Sequence, residues 1–280
     1  MKTGLVLEGG GMRCVYTVGV EDAFMKHHFL PDYLIGVSAG ASNSVSYLSG
    51  QQGRGLRTNI DYIADKRYLS IGNYLKNGSL FGMDFIFKEI PENLDPFDYT
   101  AFQASPCEFR VGVTNIQTGC TEYFGKESMQ NECTVLKASA SLPVFSPPVL
   151  FQGKYYLDGG TSDPIPVEQA LRDGCDRLIV VLTRDRSYQK KPQGFKAFYS
   201  LALRKYPEMV RLLARRHQIY NQTLLRIAEL EREGIADVIA PEQPLPIDKF
   251  EKSREKLMQV YELGFAAGEH YLQRRGLLQA

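Results

Sequence analysis

Ser38 stands at the centre of Gly36-Val37-Ser38-Ala39-Gly40, and a run of three glycines, Gly9-Gly10-Gly11, precedes it with Met12-Arg13 following the run. Gly-x-Ser-x-Gly at a strand end makes a sharp turn into a helix. The turn strains the serine backbone and lifts its hydroxyl clear of its neighbours, as a nucleophile requires. Gly36 and Gly40 remove Cβ atoms that would clash in such a turn. Ser38 then lies at a helix N-terminus, where free N–H groups and the macrodipole favour negative charge developing on an attacked carbonyl. Successive glycines at 9–11 can turn several N–H groups toward one point and form an anion nest. Arg13 adds a fixed charge that orients either that loop or a bound head group. A dinucleotide fingerprint does not fit. Counted from Gly9, its last position is Cys14, and counted from Gly10 its middle position is Met12.

A base must accompany such a serine. Asp158-Gly159-Gly160 follows the aromatic run Lys154-Tyr155-Tyr156-Leu157, so Asp158 is expected at a strand end, where two glycines let it approach a hydroxyl closely. The ordinary aspartate pKa of about 3.9 is low for a base, so desolvation has to raise it. Taken alone, Asp-Gly-Gly is also an ordinary turn. The chain has four histidines, His27, His28, His217 and His270. His270 satisfies the order Ser, Asp, His of a hydrolase triad, but it sits within a helical apolar pattern rather than on a loop. A Ser38-Asp158 dyad is therefore expected, with a His270 triad as the alternative.

Apolar runs at Gly4 to Leu7, Tyr33 to Ile35, Phe109 to Thr114 and Leu178 to Leu182 alternate with helical patterns such as Cys14 to Met25. That alternation predicts a mainly parallel sheet covered on both faces. Residues 78–87 read as a loop or short helix, flanking an acyl pocket or packed in the core. The proline-rich stretch 143–151 is expected to run extended along one pocket wall. Phe195 to Glu233 reads as helices broken at Pro207, with Arg204, Lys205, Arg211, Arg215 and Arg216 forming either a solvated face or a surface for anionic lipid. Ala236 to Pro241 suggests another short strand, followed by a helix from about Glu251 to Arg274.

The four motifs, Gly9 to Arg13, Gly36 to Gly40, Ala138-Ser139-Ala140-Ser141-Leu142-Pro143 and Asp158 to Gly160, occur in the order and spacing of the patatin-like phospholipase family, and the chain most resembles its small bacterial members. The resemblance covers roughly the first two thirds of the chain. It implies a three-layer α/β/α sandwich, a Ser38-Asp158 dyad, an oxyanion hole at Gly9, Gly10 and Gly11, and no metal or organic cofactor. It also places the stretch 138–143 near the site. Arg13, Gly36, Gly40, Gly159 and Gly160 are the supporting residues. The chain is read as one acyl hydrolase domain over 1–280, with a motif-bearing core at about 3–183, a helical insertion at about 195–233 and a closing strand and helix at about 235–275.

The 280 residues, 44% of them hydrophobic, suffice for a substantial core. A net charge of +1 gives no bulk attraction to nucleic acid. Five cysteines without a Cys-x-x-Cys pair suggest reduced thiols and a cytoplasmic setting. The short apolar N-terminus, cut by Glu8, reads as a strand rather than a secretory signal. No apolar run reaches the roughly 20 residues needed to span a bilayer, so membrane contact, if made, is peripheral and at an inner face. The expected reaction is cleavage of lipid carboxylic esters through an acyl-Ser38 intermediate. An acyltransferase sharing that intermediate and a non-catalytic lipid-binding protein are the alternatives.

Overall fold

The computed structural model describes residues 1–129 and 133–278. Among them one sheet contains eight strands: β1 (Thr3–Leu7), β2 (Tyr33–Val37), β3 (Glu108–Asn115), β4 (Thr121–Phe124), β5 (Val149–Phe151), β6 (Lys154–Asp158), β7 (Arg177–Val181) and β8 (Ala236–Ile239). The order is β5-β6-β3-β2-β1-β7-β8, and β4 pairs with β3 beside this path. The run from β3 to β8 is parallel throughout. β4, β5 and β6 are attached antiparallel.

The ten α-helices described are α1 (Val15–Lys26), α2 (Ala39–Leu48), α3 (Arg54–Ile60), α4 (Ile71–Asn77), α5 (Tyr99–Ala104), α6 (Thr134–Ser139), α7 (Val167–Arg172), α8 (Lys196–Ala202), α9 (Pro207–Arg232) and α10 (Arg254–Arg274). Strand β1 shows how the layers arise. Alternate side chains of a strand face opposite ways. Leu5 and Leu7 join Tyr16 and Phe24 of α1 and Leu257 and Val260 of α10 in one core. Val6 faces the other way, into a core with Val167 and Ala170 of α7 and Tyr220, Ile227 and Leu230 of α9. Both faces of the sheet are covered, so the architecture is α/β/α with added C-terminal helices.

The apolar runs at the starts of β1, β2, β3 and β7 are the strands expected from sequence. The prolines behave differently along the chain. Pro207 opens α9 at its first turn, where a missing N–H costs nothing. Pro91 lies inside a π-helical segment, Phe85–Leu94, which begins within the 78–87 stretch. Most of the stretch 143–151 is irregular, and its end forms the short edge strand β5.

Three ladders fix the site. Leu7 of β1 lies opposite Gly36 of β2, so the glycine run leaves β1 beside the turn that carries Ser38. Val37, the last residue of β2, pairs with Gly112 of β3. Asp158, the last residue of β6, pairs with Val113. Neighbouring positions of one strand therefore hold the ends of the two strands that carry Ser38 and Asp158.

Candidate active site

Ser38 caps α2 with φ 55° and ψ −134°, a left-handed conformation that costs a non-glycine residue roughly 1–3 kcal/mol. Surrounding groups hold it there. The Ser38 N–H donates to Ser139 Oγ at 2.8 Å, and Ser139 Oγ donates to the Gly112 carbonyl at 2.7 Å. Ser139 thus clamps the strained turn to β3, which gives the stretch 138–143 a definite structural task.

The Ser38 hydroxyl donates to Asp158 Oδ2 at 2.7 Å. Asp158 is itself fixed on both sides of its backbone: its N–H donates to the Ser141 carbonyl at 2.7 Å, and its carbonyl accepts from Thr114 Oγ1 at 2.7 Å. Its carboxylate is buried, and Oδ1 has no hydrogen-bond partner among the described residues. Burial raises the Asp158 pKa above its ordinary value, against the opposing charge of Arg216 and the hydrogen bond from Ser38. A carboxylate with one oxygen on the serine and one unpartnered is a stronger proton acceptor than a solvated aspartate.

Gly159 follows at a close approach. A Cβ there would drive into the Gly112 carbonyl oxygen, the same atom that accepts from Ser139. Gly159→Ala is therefore expected to lower stability by about 1–3 kcal/mol, as overpacking does. Thermal melting checks this: an unchanged melting temperature would show that the strand end can shift freely.

The glycine run lies across the mouth of the turn. Gly11 has φ 58° and packs against the Lys249 carbonyl, while the next N–H, that of Met12, donates to the same carbonyl at 3.2 Å. Among the described residues no hydrogen bond occupies the N–H groups of Gly9, Gly10 or Gly11. Gly36 and Gly40 flank Ser38, with Gly40 in the first turn of α2 against the Glu8 carbonyl.

Ser38, Asp158, Gly9, Gly10, Gly11, Arg13, Gly40's neighbour Ala39 and Gly160 line one cavity of about 380 Å³. One wall is apolar and includes Met12, Phe81, Met83, Ile86, Phe87 and Leu142. The 78–87 stretch therefore serves as pocket wall as well as core, since Met83 and Phe87 also pack inward. The proline-rich wall expected from 143–151 is not among the lining residues described. Leu142, just before it, is, and Phe145 instead meets Phe250 edge-on.

None of the four histidines lines the cavity. His270 is exposed on α10, and His27 contacts Glu269 at 3.4 Å. His217 is half-buried on α9, with Nδ1 unpartnered among the described residues. The His270 triad has no geometry here.

Several residues at the site were not singled out from sequence. Glu8 is buried and accepts from the Thr183 N–H at 2.6 Å and the Tyr220 hydroxyl at 2.8 Å, which offsets the cost of burying its charge. Its position immediately before the glycine run was the available signal. Arg216, expected on an outward basic face, instead donates from Nε and a terminal nitrogen to the Gly160 carbonyl at 3.1 and 2.9 Å. Arg211 and Arg215 do remain exposed, and Arg211 pairs with Glu208.

The profile of a family described as Patatin-like phospholipase matches residues 5–171, and that of a domain of unknown function (DUF6363) matches residues 206–276. Among curated proteins, Uncharacterized protein YjjU of Escherichia coli K12 is 28% identical over 286 aligned residues, covering 99% of this chain and 79% of that protein. Lysophospholipase nte1 of Aspergillus niger is 25% identical, covering 98% of this chain, and Lysophospholipase NTE1 of Meyerozyma guilliermondii is 27% identical, covering 64%. The chain spans only 18% and 12% of those two proteins. The crystal structure of VipD from Legionella pneumophila superposes with a TM-score of 0.49 at 14% identity, covering 98% of this chain and 67% of that one.

Proposed function

The chain belongs to the patatin-like phospholipase family of lipid ester hydrolases, and from that membership we propose a serine acyl hydrolase working through a Ser38-Asp158 dyad. The observation that carries the reading is the 2.7 Å contact between a strained serine hydroxyl and a buried carboxylate, at a cavity with one apolar wall. In this mechanism Ser38 Oγ attacks the ester carbonyl while Asp158 takes its proton. The tetrahedral oxyanion is held by N–H groups of Gly9, Gly10 and Gly11, with the Ala39 N–H at the start of α2 as a further donor. Collapse expels the alcohol, which leaves with the proton from Asp158, and an acyl-Ser38 ester remains. Water then gives its proton to Asp158 and attacks that ester. Collapse of the second tetrahedral species returns the proton to Ser38 Oγ and releases the fatty acid. The proposal takes the whole chain as one catalytic domain, because β8 extends the sheet beside β7 and α9 reaches the Asp158 turn through Arg216.

Product analysis tests the reading. The wild type should release free fatty acid from phospholipid or lysophospholipid micelles, and should continue to do so with methanol present. Predominant acyl transfer to methanol or to lysolipid would instead make the protein a transferase. No turnover from folded protein would contradict catalysis.

A lipid surface also fits the outside of the molecule. Among the described residues no helix is long and apolar enough to cross a membrane. Yet Ile71 and Leu75 on α4, and Phe195, Phe198 and Leu201 at α8, are all more than half exposed. Both helices meet the segment just after the cavity residue Leu142: Tyr74 Oη donates to the Val144 carbonyl at 3.4 Å, and Val144 packs with Tyr199 and Leu203. We read these side chains as the part of the surface that enters a bilayer interface. Replacing Phe195, Phe198 and Leu201 by serine should reduce hydrolysis of vesicle lipid by about tenfold more than hydrolysis of a soluble short-chain ester. Equal effects on both substrates would remove α8 from the contact.

A further inference from the structure

Another part of the cavity wall is built from cations. Arg13 follows the glycine run, Arg184 and Lys190 follow β7, and Arg216 and Lys249 come from the segment 206–276. All five are at least partly buried, and none makes an ion pair with a carboxylate among the described residues. Cations elsewhere are commonly paired, as Arg57 is with Asp95, Arg226 with Glu168 and Arg254 with Asp61.

The five rest on other groups. Arg184 lies 4.5 Å from the centre of the Tyr188 ring, Lys190 5.0 Å from Tyr220 and Lys249 4.7 Å from Phe250. Arg216 holds the Gly160 carbonyl, and the Nε of Arg13 is buried with no partner among the described residues. These cations also disfavour one another's charge. Burial and then the neighbouring Arg216 charge push Lys190 down to about 8, and the same two causes lower Lys249. Burial and then Arg184 lower Arg13. Such a cluster is disfavoured when empty and relieved by an anion.

The carboxylates at the cavity are Glu8, Asp158 and Asp248. Glu8 is engaged by Thr183 and Tyr220, Asp158 by Ser38, and Asp248 accepts from the Phe250 N–H at 2.6 Å. Counting all of them as ionised, five positive charges against three negative leave two uncompensated, the charge of a phosphate monoester dianion. The aromatic faces of Tyr188, Tyr220 and Phe250 are already covered by cations, so this wall offers no cage for a quaternary ammonium group.

We infer that Arg13, Arg184, Lys190, Arg216 and Lys249 form an anion subsite that holds a phosphate monoester headgroup while the acyl chain lies along the apolar wall, selecting anionic over choline-bearing lipids. The assignment to a lipid headgroup rests on the acyl hydrolase reading. The subsite itself does not.

Calorimetric titration of the full-length Ser38→Ala protein, below the micelle concentration, separates the two. Dodecyl phosphate should bind at least about tenfold more tightly than dodecylphosphocholine, which has the same chain. Adding Lys190→Gln and Lys249→Gln should bring the two affinities within about threefold of each other. Removing mutually repelling charges favours folding, and Arg184→Gln gives an independent variant expected to narrow the difference in the same direction. Equal binding of the two amphiphiles, or a preference that survives all these substitutions, would overturn the inference. Inorganic phosphate binding as tightly as dodecyl phosphate would also overturn the headgroup assignment, leaving a site for free phosphate. Wild-type cleavage of an uncharged p-nitrophenyl ester reports separately on the catalytic reading. Cleavage without headgroup preference defeats only the subsite; preference without cleavage upholds the subsite and defeats only the hydrolase.

Discussion

Ser38→Ala should lower kcat/KM for lipid esters by at least about 10⁴-fold while the protein remains folded, because loss of a nucleophile removes the covalent route altogether. The same position carries a stability signature that separates a strained elbow from an ordinary surface serine. At φ 55° alanine keeps the strain, whereas glycine relieves it. The strain of roughly 1–3 kcal/mol outweighs the roughly 0.4–1 kcal/mol that glycine loses through unfolded-state entropy. Ser38→Gly should therefore be equally inactive yet melt higher than Ser38→Ala. Near wild-type turnover in either variant would exclude Ser38 as the nucleophile.

Asp158→Asn should cost roughly 10³–10⁴-fold in kcat/KM, since an amide of the same shape accepts the Ser38 hydrogen bond but cannot take its proton. The wild-type pH profile provides a second readout. Burial raises the Asp158 pKa, so the acid limb of kcat/KM should have its midpoint above the ordinary aspartate value of 3.8, and this limb should be missing from the variant's residual activity. The sign for stability follows from the same shift. A carboxyl whose folded pKa lies above its unfolded pKa contributes stability that is complete below the unfolded value and lost as pH rises through the folded value. At neutral pH the ionised Asp158 is therefore a liability. Asp158→Asn should melt no lower than the wild type at pH 7. A clear loss of melting temperature would mean that the carboxylate is there for structure.

Features coded within a few residues were legible in the sequence. Ser38 and Asp158 each sit in a glycine-framed pentapeptide or turn at the end of an apolar run, and β1, β2, β3 and β7 are runs buried on both faces. Strand β4, half-buried at every position, lacks the apolar signature, and the three residues of β5 are too few to show a period. The cationic wall was legible only at Arg13, which stands beside the glycine run and reads as a charge for that loop or a bound head group. Arg184, Lys190 and Lys249 are ordinary in their local sequences, and only the meeting of distant segments at one cavity makes the five a group. Arg216 was seen on a basic helix, but the 3.6-residue period does not tell which turn of a long helix points inward at a catalytic turn.

Intact-protein mass after reaction with a lipid-like fluorophosphonate, in wild type and in folded Ser38→Ala, tests the central claim most directly. The dyad requires a single adduct on the wild type, slowed by phospholipid vesicles and absent from the variant. An adduct of the same extent on Ser38→Ala, or none on folded wild type in the presence or absence of vesicles, would contradict it.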